Sequence, residues 1–283
     1  MHEARQTVSP QAAARDPEKE KKALFSIRNL SKIFTPFGEA GVKGEVRAVS
    51  GINLEIYAGE CLIIAGSNGS GKTLLMRMVA GLLDSSEGEI RFQGTPIDRA
   101  AGRVRRHTGL VFQDADAQII GETVAEDIAF GPKNLGFSKP EVEERVGRAL
   151  DALGLSEKKT FPPRRLSGGE KRRLAVAGVL AMGCETIIMD EPFANLDWPG
   201  VTQVLEIIRD LRGSGKTVVI LTHELEKVLA FADRLVILDR GMIRDEGKPQ
   251  AVLDRLKPEY GVRDPRRNYA RVEDCTWLEN PAP

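Results

Sequence analysis

Hydrophobic residues follow two spacings along the chain, and each change of spacing marks an element. In Phe25-Ser-Ile-Arg-Asn-Leu30 and Val49-Ser-Gly-Ile-Asn-Leu-Glu-Ile56 apolar and polar residues nearly alternate, which is the period of a half-buried strand. The Gly- and Pro-containing stretch between them reads as a loop, so the pair predicts an antiparallel β edge. Cys61-Leu-Ile-Ile-Ala65, Thr186-Ile-Ile-Met-Asp190 and Thr217-Val-Val-Ile-Leu221 are almost wholly apolar, as buried strands are. Gly88-Glu-Ile-Arg-Phe-Gln93 and Gly109-Leu-Val-Phe-Gln113 add two shorter strands. Elsewhere the period is helical. Leu74 to Ala80 suits a helix, Val142, Val146, Ala149, Leu150 and Leu153 share one face up to Gly154, and Val201, Val204, Leu205, Ile208 and Leu211 share another. Thr123-Val-Ala-Glu126 and Ser138-Lys-Pro-Glu141 are capping boxes that open two helices. The pattern predicts an α/β domain with an antiparallel β edge and a helical insert over about residues 119–170.

Composition narrows this picture by exclusion. The 283 residues are 41% apolar, enough for a sizeable core. Lys+Arg and Asp+Glu both number 41, so net charge gives no reason to expect nucleic acid or an anionic surface as the main partner. No apolar run approaches the ~20 residues that span a bilayer, so the chain is not expected to cross a membrane alone. Residues 1–23 are polar and charged without a hydrophobic stretch, and are expected to be a disordered tail rather than a signal peptide. Cys61, Cys184 and Cys275 form no C-x-x-C pair, which suggests a reducing compartment and neither disulfide nor metal site.

The chemistry concentrates at Gly66-Ser67-Asn68-Gly69-Ser70-Gly71-Lys72-Thr73, which spells G-x-x-x-x-G-K-[ST] between a strand and a helix. Such a loop cradles phosphates: glycines let backbone N–H groups converge, Lys72 supplies a point charge, and Thr73 supplies a hydroxyl for Mg²⁺. Asp190 and Glu191 stand together at the end of a buried strand. Asp190 suits the hydrated Mg²⁺ that Thr73 also serves, and Glu191 suits a base for the attacking water. Gln113 leaves a strand end with an amide oxygen that can reach Mg²⁺ or that water. His223 follows another strand, where α/β sheets bind ligands, and its ring could donate to a γ-phosphate. Ser167, Gly168 and Gly169 begin a helix whose first N–H groups stay bare for an anion. Phe34 could stack on a nucleobase, with Phe37 a competing candidate.

In this order the motifs resemble those of ATP-binding subunits of the ABC transporter family: Walker A at 66–73, Q-loop Gln113, signature Leu166-Ser-Gly-Gly-Glu170, Walker B 186–190 with Glu191, D-loop Asn195-Leu-Asp197 and switch His223. The resemblance covers about residues 24–250, leaving 251–283 as a C-terminal appendage. It departs at Glu170, where many relatives carry Gln. Asp116-Ala-Gln118, the run from Thr123 to Leu135, and Glu191-Pro-Phe-Ala-Asn-Leu-Asp197 resemble more narrowly the energy-coupling factor group, importers of cobalt, nickel and vitamins. That resemblance implies a P-loop NTPase core with antiparallel β and helical subdomains, ATP and Mg²⁺ as ligands, and a peripheral place at the cytoplasmic face of the membrane. It also implies a second ATP-binding subunit, the same or similar, whose signature faces this P-loop with Asp197 at the seam. Integral membrane subunits would dock on the helical insert, with Gln118 a candidate there. The rival is a non-transport ABC ATPase of DNA repair or translation, which would need coiled coils, a basic stripe or a second motif set; none is present.

Overall fold

The computed structural model describes residues 22–35 and 45–266. Nearly all of the expected tail, Phe37, Cys275 and the last 17 residues lie outside the described residues. In chain order, β1 (Ala23–Phe34) and β2 (Val46–Tyr57) lead to β3 (Cys61–Ala65) and α1 (Lys72–Val79). β4 (Glu87–Phe92), β5 (Thr95–Pro96), α2 (Ile97–His107) and β6 (Thr108–Val111) follow, then α3 (Val124–Asn134), α4 (Lys139–Ala152) and α5 (Gly168–Met182). The last third holds β7 (Thr186–Asp190), α6 (Trp198–Gly213), β8 (Thr217–Thr222), α7 (Leu225–Val228), β9 (Arg234–Asp239), β10 (Met242–Gly247) and α8 (Pro249–Asp254).

The strands form two sheets. One is four-stranded with order β2-β1-β4-β5; the other is six-stranded with order β10-β9-β3-β8-β7-β6, parallel from β9 to β6 with β10 antiparallel at its edge. The alternation predicted an antiparallel β edge, but the pair β1 and β2 is not part of the β3 sheet. It recruits β4 into a sheet of its own, in register Phe25↔Phe92, with those two rings 5.0 Å apart. Each half-buried strand needs a partner layer for its apolar face. Phe25, Ile27, Leu30, Ile52 and Leu54 find one in α1, through Leu75, Met76 and Val79, and in Leu62 and Ile64 of β3.

Four central strands share their side chains between two cores. Ile63, Ile187, Ile220 and Ile237 face the larger cluster, which holds the helical insert, α6 and α8. Leu62, Ile188, Val219 and Val236 face the smaller one under the antiparallel sheet. Period-2 geometry forces this division, since successive side chains of a strand point to opposite faces.

Both capping boxes form. Thr123 accepts from the Glu126 N–H at 3.2 Å while Glu126 accepts from the Thr123 N–H, and Glu141 accepts from the Ser138 N–H at 2.8 Å. In α4 the buried face is Val142, Val146, Ala149 and Leu150, and Gly154 follows with φ +62, the left-handed position glycine favours after a helix. α5 packs on α3 and α4 to close the insert. Residues 251–266 pack as well: Val252, Leu253 and Val262 are buried in the larger cluster. Pattern reading passed over α2 and β9 for opposite reasons. In α2 only Ala100 and Val104 are buried among 11 residues, whereas β9 is an apolar run as plain as β7.

Candidate active site

β3 is wholly buried and delivers the chain to Gly66 at its carboxyl end. A Cβ on Gly66 would lie 2.2 Å from the Leu238 carbonyl oxygen and 2.6 Å from Ser70 Oγ, so no other residue fits between β3 and β9. Gly71, at φ +101, caps α1 without a side chain, which leaves the first N–H groups of that helix aimed at the loop. The loop is braced from behind, the Ser70 carbonyl accepting from the Gly241 N–H at 2.9 Å.

Five of the expected side chains meet here. Lys72, buried, donates through Nζ to the carbonyls of Gly66 (2.7 Å) and Ser67 (3.1 Å). The same Nζ is 3.4 Å from Glu191 Oε1. Thr73 Oγ1 donates to Asp190 Oδ2 at 2.7 Å. His223 Nδ1 is 3.0 Å from Glu191 Oε2. β3, β8 and β7 are neighbours in the sheet, so their carboxyl ends bring Gly66, His223 and the Asp190-Glu191 pair together. Burial pushes the Asp190 carboxyl above its ordinary range; the Thr73 hydrogen bond opposes this, and the Glu191 charge adds to it. Glu191 is held in the left-handed region at φ +44, a strain of about 1–2 kcal/mol for a residue with a Cβ.

The residues fit a magnesium-bound nucleoside triphosphate. Ser70 Oγ and Glu191 Oε1 are buried without a hydrogen-bond partner, the glycines leave a cradle that a Cβ would fill, and a hydroxyl and a carboxylate stand side by side for a hard cation. Among the described residues no group of three His, Cys, Asp or Glu side chains forms a metal cage.

The other expected residues lie outside this chain of contacts. Ser167 caps α5: its Oγ accepts from the Glu170 N–H at 3.3 Å, and its N–H donates to Glu170 at 2.9 Å. Space beside Gly168 is open, and Gly169 faces Gly200 at the start of α6. Asp197 caps α6, accepting from the Gly200 N–H at 3.0 Å. Gln113 is exposed, two residues beyond the end of β6. Phe34, 41% exposed, has Lys32 Nζ 5.4 Å from its ring centre. Gln118 is tied to its own loop after β6: its amide donates to the Leu110 carbonyl and accepts from the Phe112 N–H.

Two contributors escaped sequence reasoning. Arg172 is buried on α5 and donates to the Phe112 carbonyl at 2.8 Å; its signal was an arginine at a core-facing position of the helix. Gly261, at φ +64, lies where a Cβ would be 3.3 Å from Ser67 Cβ, so the segment after α8 backs the P-loop. A contact across that span leaves no local trace in a sequence.

Comparison with known proteins agrees with this geometry. A family model described as ABC transporter matches residues 49–194. The chain is 42% identical over 212 residues to an energy-coupling factor transporter ATP-binding protein EcfA of Methanocaldococcus jannaschii, covering 74% of this chain and 76% of that one. It is 41% identical to the cobalt import ATP-binding protein CbiO of Rhodobacter capsulatus, covering 78% and 81%. Among solved structures, CbiO1 of Clostridium perfringens, part of the complex CbiONQ, superposes with a TM-score of 0.72 at 32% identity over 83% of this chain and 92% of that one. A dimeric ATP-binding cassette in a post-hydrolysis state with ADP and Pi gives 0.70 at 27% identity over 80% and 98%. With its P-loop, buried acid pair and histidine at adjoining strand ends, the chain belongs to the ABC transporter family.

Proposed function

We propose that the chain binds MgATP at the carboxyl ends of β3, β7 and β8 and hydrolyses it to drive import through separate membrane subunits. The system is of energy-coupling factor type, and the cargo is a transition metal ion or a vitamin. The observation that carries this is the run of contacts from Lys72 through Glu191 to His223, beside the Thr73–Asp190 hydrogen bond. Lys72 and the α1 N-terminus would bind the phosphates, while Thr73 and Asp190, with Gln113, would hold the metal. Magnesium, when bound, neutralises charge on the phosphoryl oxygens. Glu191 takes the proton of the attacking water, and His223, 3.0 Å from it, fixes that carboxylate and can donate to a γ-oxygen. Glycines at 66, 69 and 71, with Ser67, Asn68 and Ser70, shape the cradle, and Phe34 supplies a ring for the base.

A second ATP-binding subunit completes the site. Ser167, Gly168 and Gly169 offer helix N-terminal donors that the phosphates of their own P-loop do not use. In a two-fold dimer they cover the partner's γ-phosphate, with Asp197 at the seam. Relatives are named as a transporter ATP-binding protein and as part of an ABC transporter complex, which supports a peripheral subunit on the cytoplasmic face, docked through the helical insert. No helix among the described residues is long and apolar enough to cross a membrane. The test is nucleotide binding by Lys72→Ala. Affinity for a fluorescent ATP analogue should fall at least tenfold, and wild-type affinity would refute the assignment of the cradle.

A further inference from the structure

We propose that Arg172 is a positioning residue that fixes the loop bearing Gln113 and the loop between Glu191 and Asp197 in one register on the signature helix. The inference rests on the roles given above to those three residues.

Arg172 is 5% exposed and occupies a face of α5 that it shares with buried Ala175, Val176 and Val179. Helical spacing of i, i+3, i+4 and i+7 calls for an apolar residue there, and a guanidinium is costly to bury. Its placement answers to hydrogen bonds instead. Nη1 donates to the Phe112 carbonyl at 2.8 Å and Nη2 to the Ala194 carbonyl at 3.4 Å, while Nε is buried without a partner. Phe112 immediately precedes Gln113. The Ala194 N–H donates back to the Glu191 carbonyl at 3.1 Å, so the second arm of the fork holds the turn that carries the base towards Asp197.

One rigid planar group therefore spans two loops that approach the γ-phosphate from different strands. Lysine offers a single point charge and cannot hold both carbonyls in a fixed relation. Burial lowers the pKa of the guanidinium, and the acids Asp114 and Asp190 oppose this. Beside it, Lys171 Nζ reaches Asp116 at 2.6 Å. That exposed pair ties α5 to the same loop from outside and adds little by itself. Packing alone does not explain Arg172, because an apolar residue of similar volume would fill the same position without a buried charge. Register between two catalytic loops does, since a misplacement of about 1 Å can cost on the order of 10²-fold in rate.

The experiment compares full-length wild type, Arg172→Met, Arg172→Lys and Lys171→Met for steady-state ATP turnover, affinity for a fluorescent ATP analogue with Mg²⁺, and Tm. Arg172→Met should keep Tm and affinity near wild type and lose about tenfold or more in kcat, Arg172→Lys should fall between, and Lys171→Met should stay within about twofold. Wild-type kcat in Arg172→Met overturns the proposal. So does a loss of affinity that tracks a fall in Tm, which is the mark of a merely structural role. Should Arg172→Met fail to fold, a folded Arg172→Lys with unchanged affinity decides: reduced kcat supports the proposal, wild-type kcat overturns it. Wild-type protein without turnover would refute the hydrolase reading beneath it, and the proposal with it.

Discussion

Replacing Glu191 by Gln tests the chemistry most directly. The side chain is buried and nearly isosteric with glutamine, and its backbone is fixed by the hydrogen bond from its N–H to the Leu221 carbonyl at 2.9 Å. The change removes the basic oxygen and little else. Lys72 loses a carboxylate at 3.4 Å but keeps the Gly66 and Ser67 carbonyls, so affinity for MgATP should change by no more than a few-fold. General-base work is worth about 10² to 10⁴ in rate, or about 2.7 to 5.4 kcal/mol at 1.36 kcal/mol per decade. Phosphate release at saturating MgATP should fall by that amount, with binding of a fluorescent analogue measured separately. Glu191→Gly is the companion variant, because at φ +44 glycine relieves about 1 kcal/mol of strain while also removing the base. Both variants should lose turnover alike. Turnover retained in either refutes the reasoning, and retention in the glutamine variant alone would show that strain, not proton transfer, is what Glu191 contributes.

Two further outcomes follow from the signature helix. Lys158, and then Ser167, hold the Glu170 carboxyl below its ordinary value near 4.5, against burial; a depressed acid stabilises the fold above its unfolded pKa and loses that contribution as pH falls through the folded one. Glu170→Gln, which preserves the capping box, should have lower Tm than wild type at pH 7 and converge with it below about pH 4.5, so a difference that persists in acid would count against this. Ser167→Arg in a Glu191→Gln background should abolish an MgATP-dependent dimer in sedimentation; a dimer that persists would remove the signature from the opposing site.

Elements governed by local chemistry were legible in the sequence. The P-loop spelling, both capping boxes and the apolar strands β3, β7 and β8 each depend on neighbours within a few residues. Partner choice between distant strands was not legible, because an alternating strand states that one face is buried and not what covers it. β1 accordingly read as an edge, whereas Phe25 pairs with Phe92 in a separate sheet. α2 escaped for want of signal, with only two buried positions in 11. Gln118 shows a different limit. A polar residue after a strand reads as surface, and only the fold reveals an amide that closes its own loop at Leu110 and Phe112.

Because β3, β7, β8 and β9 each divide their side chains between both clusters, neither layer can melt without exposing the other's apolar surface. The strands that aim Gly66, Asp190 and His223 therefore belong to one cooperative unit. Their backbone amides should exchange with solvent only through global opening, at rates shared across all four strands. Nucleotide at their carboxyl ends would then protect amides of the antiparallel layer that it never touches, since a ligand that binds only the folded form stabilises every element that unfolds with its site.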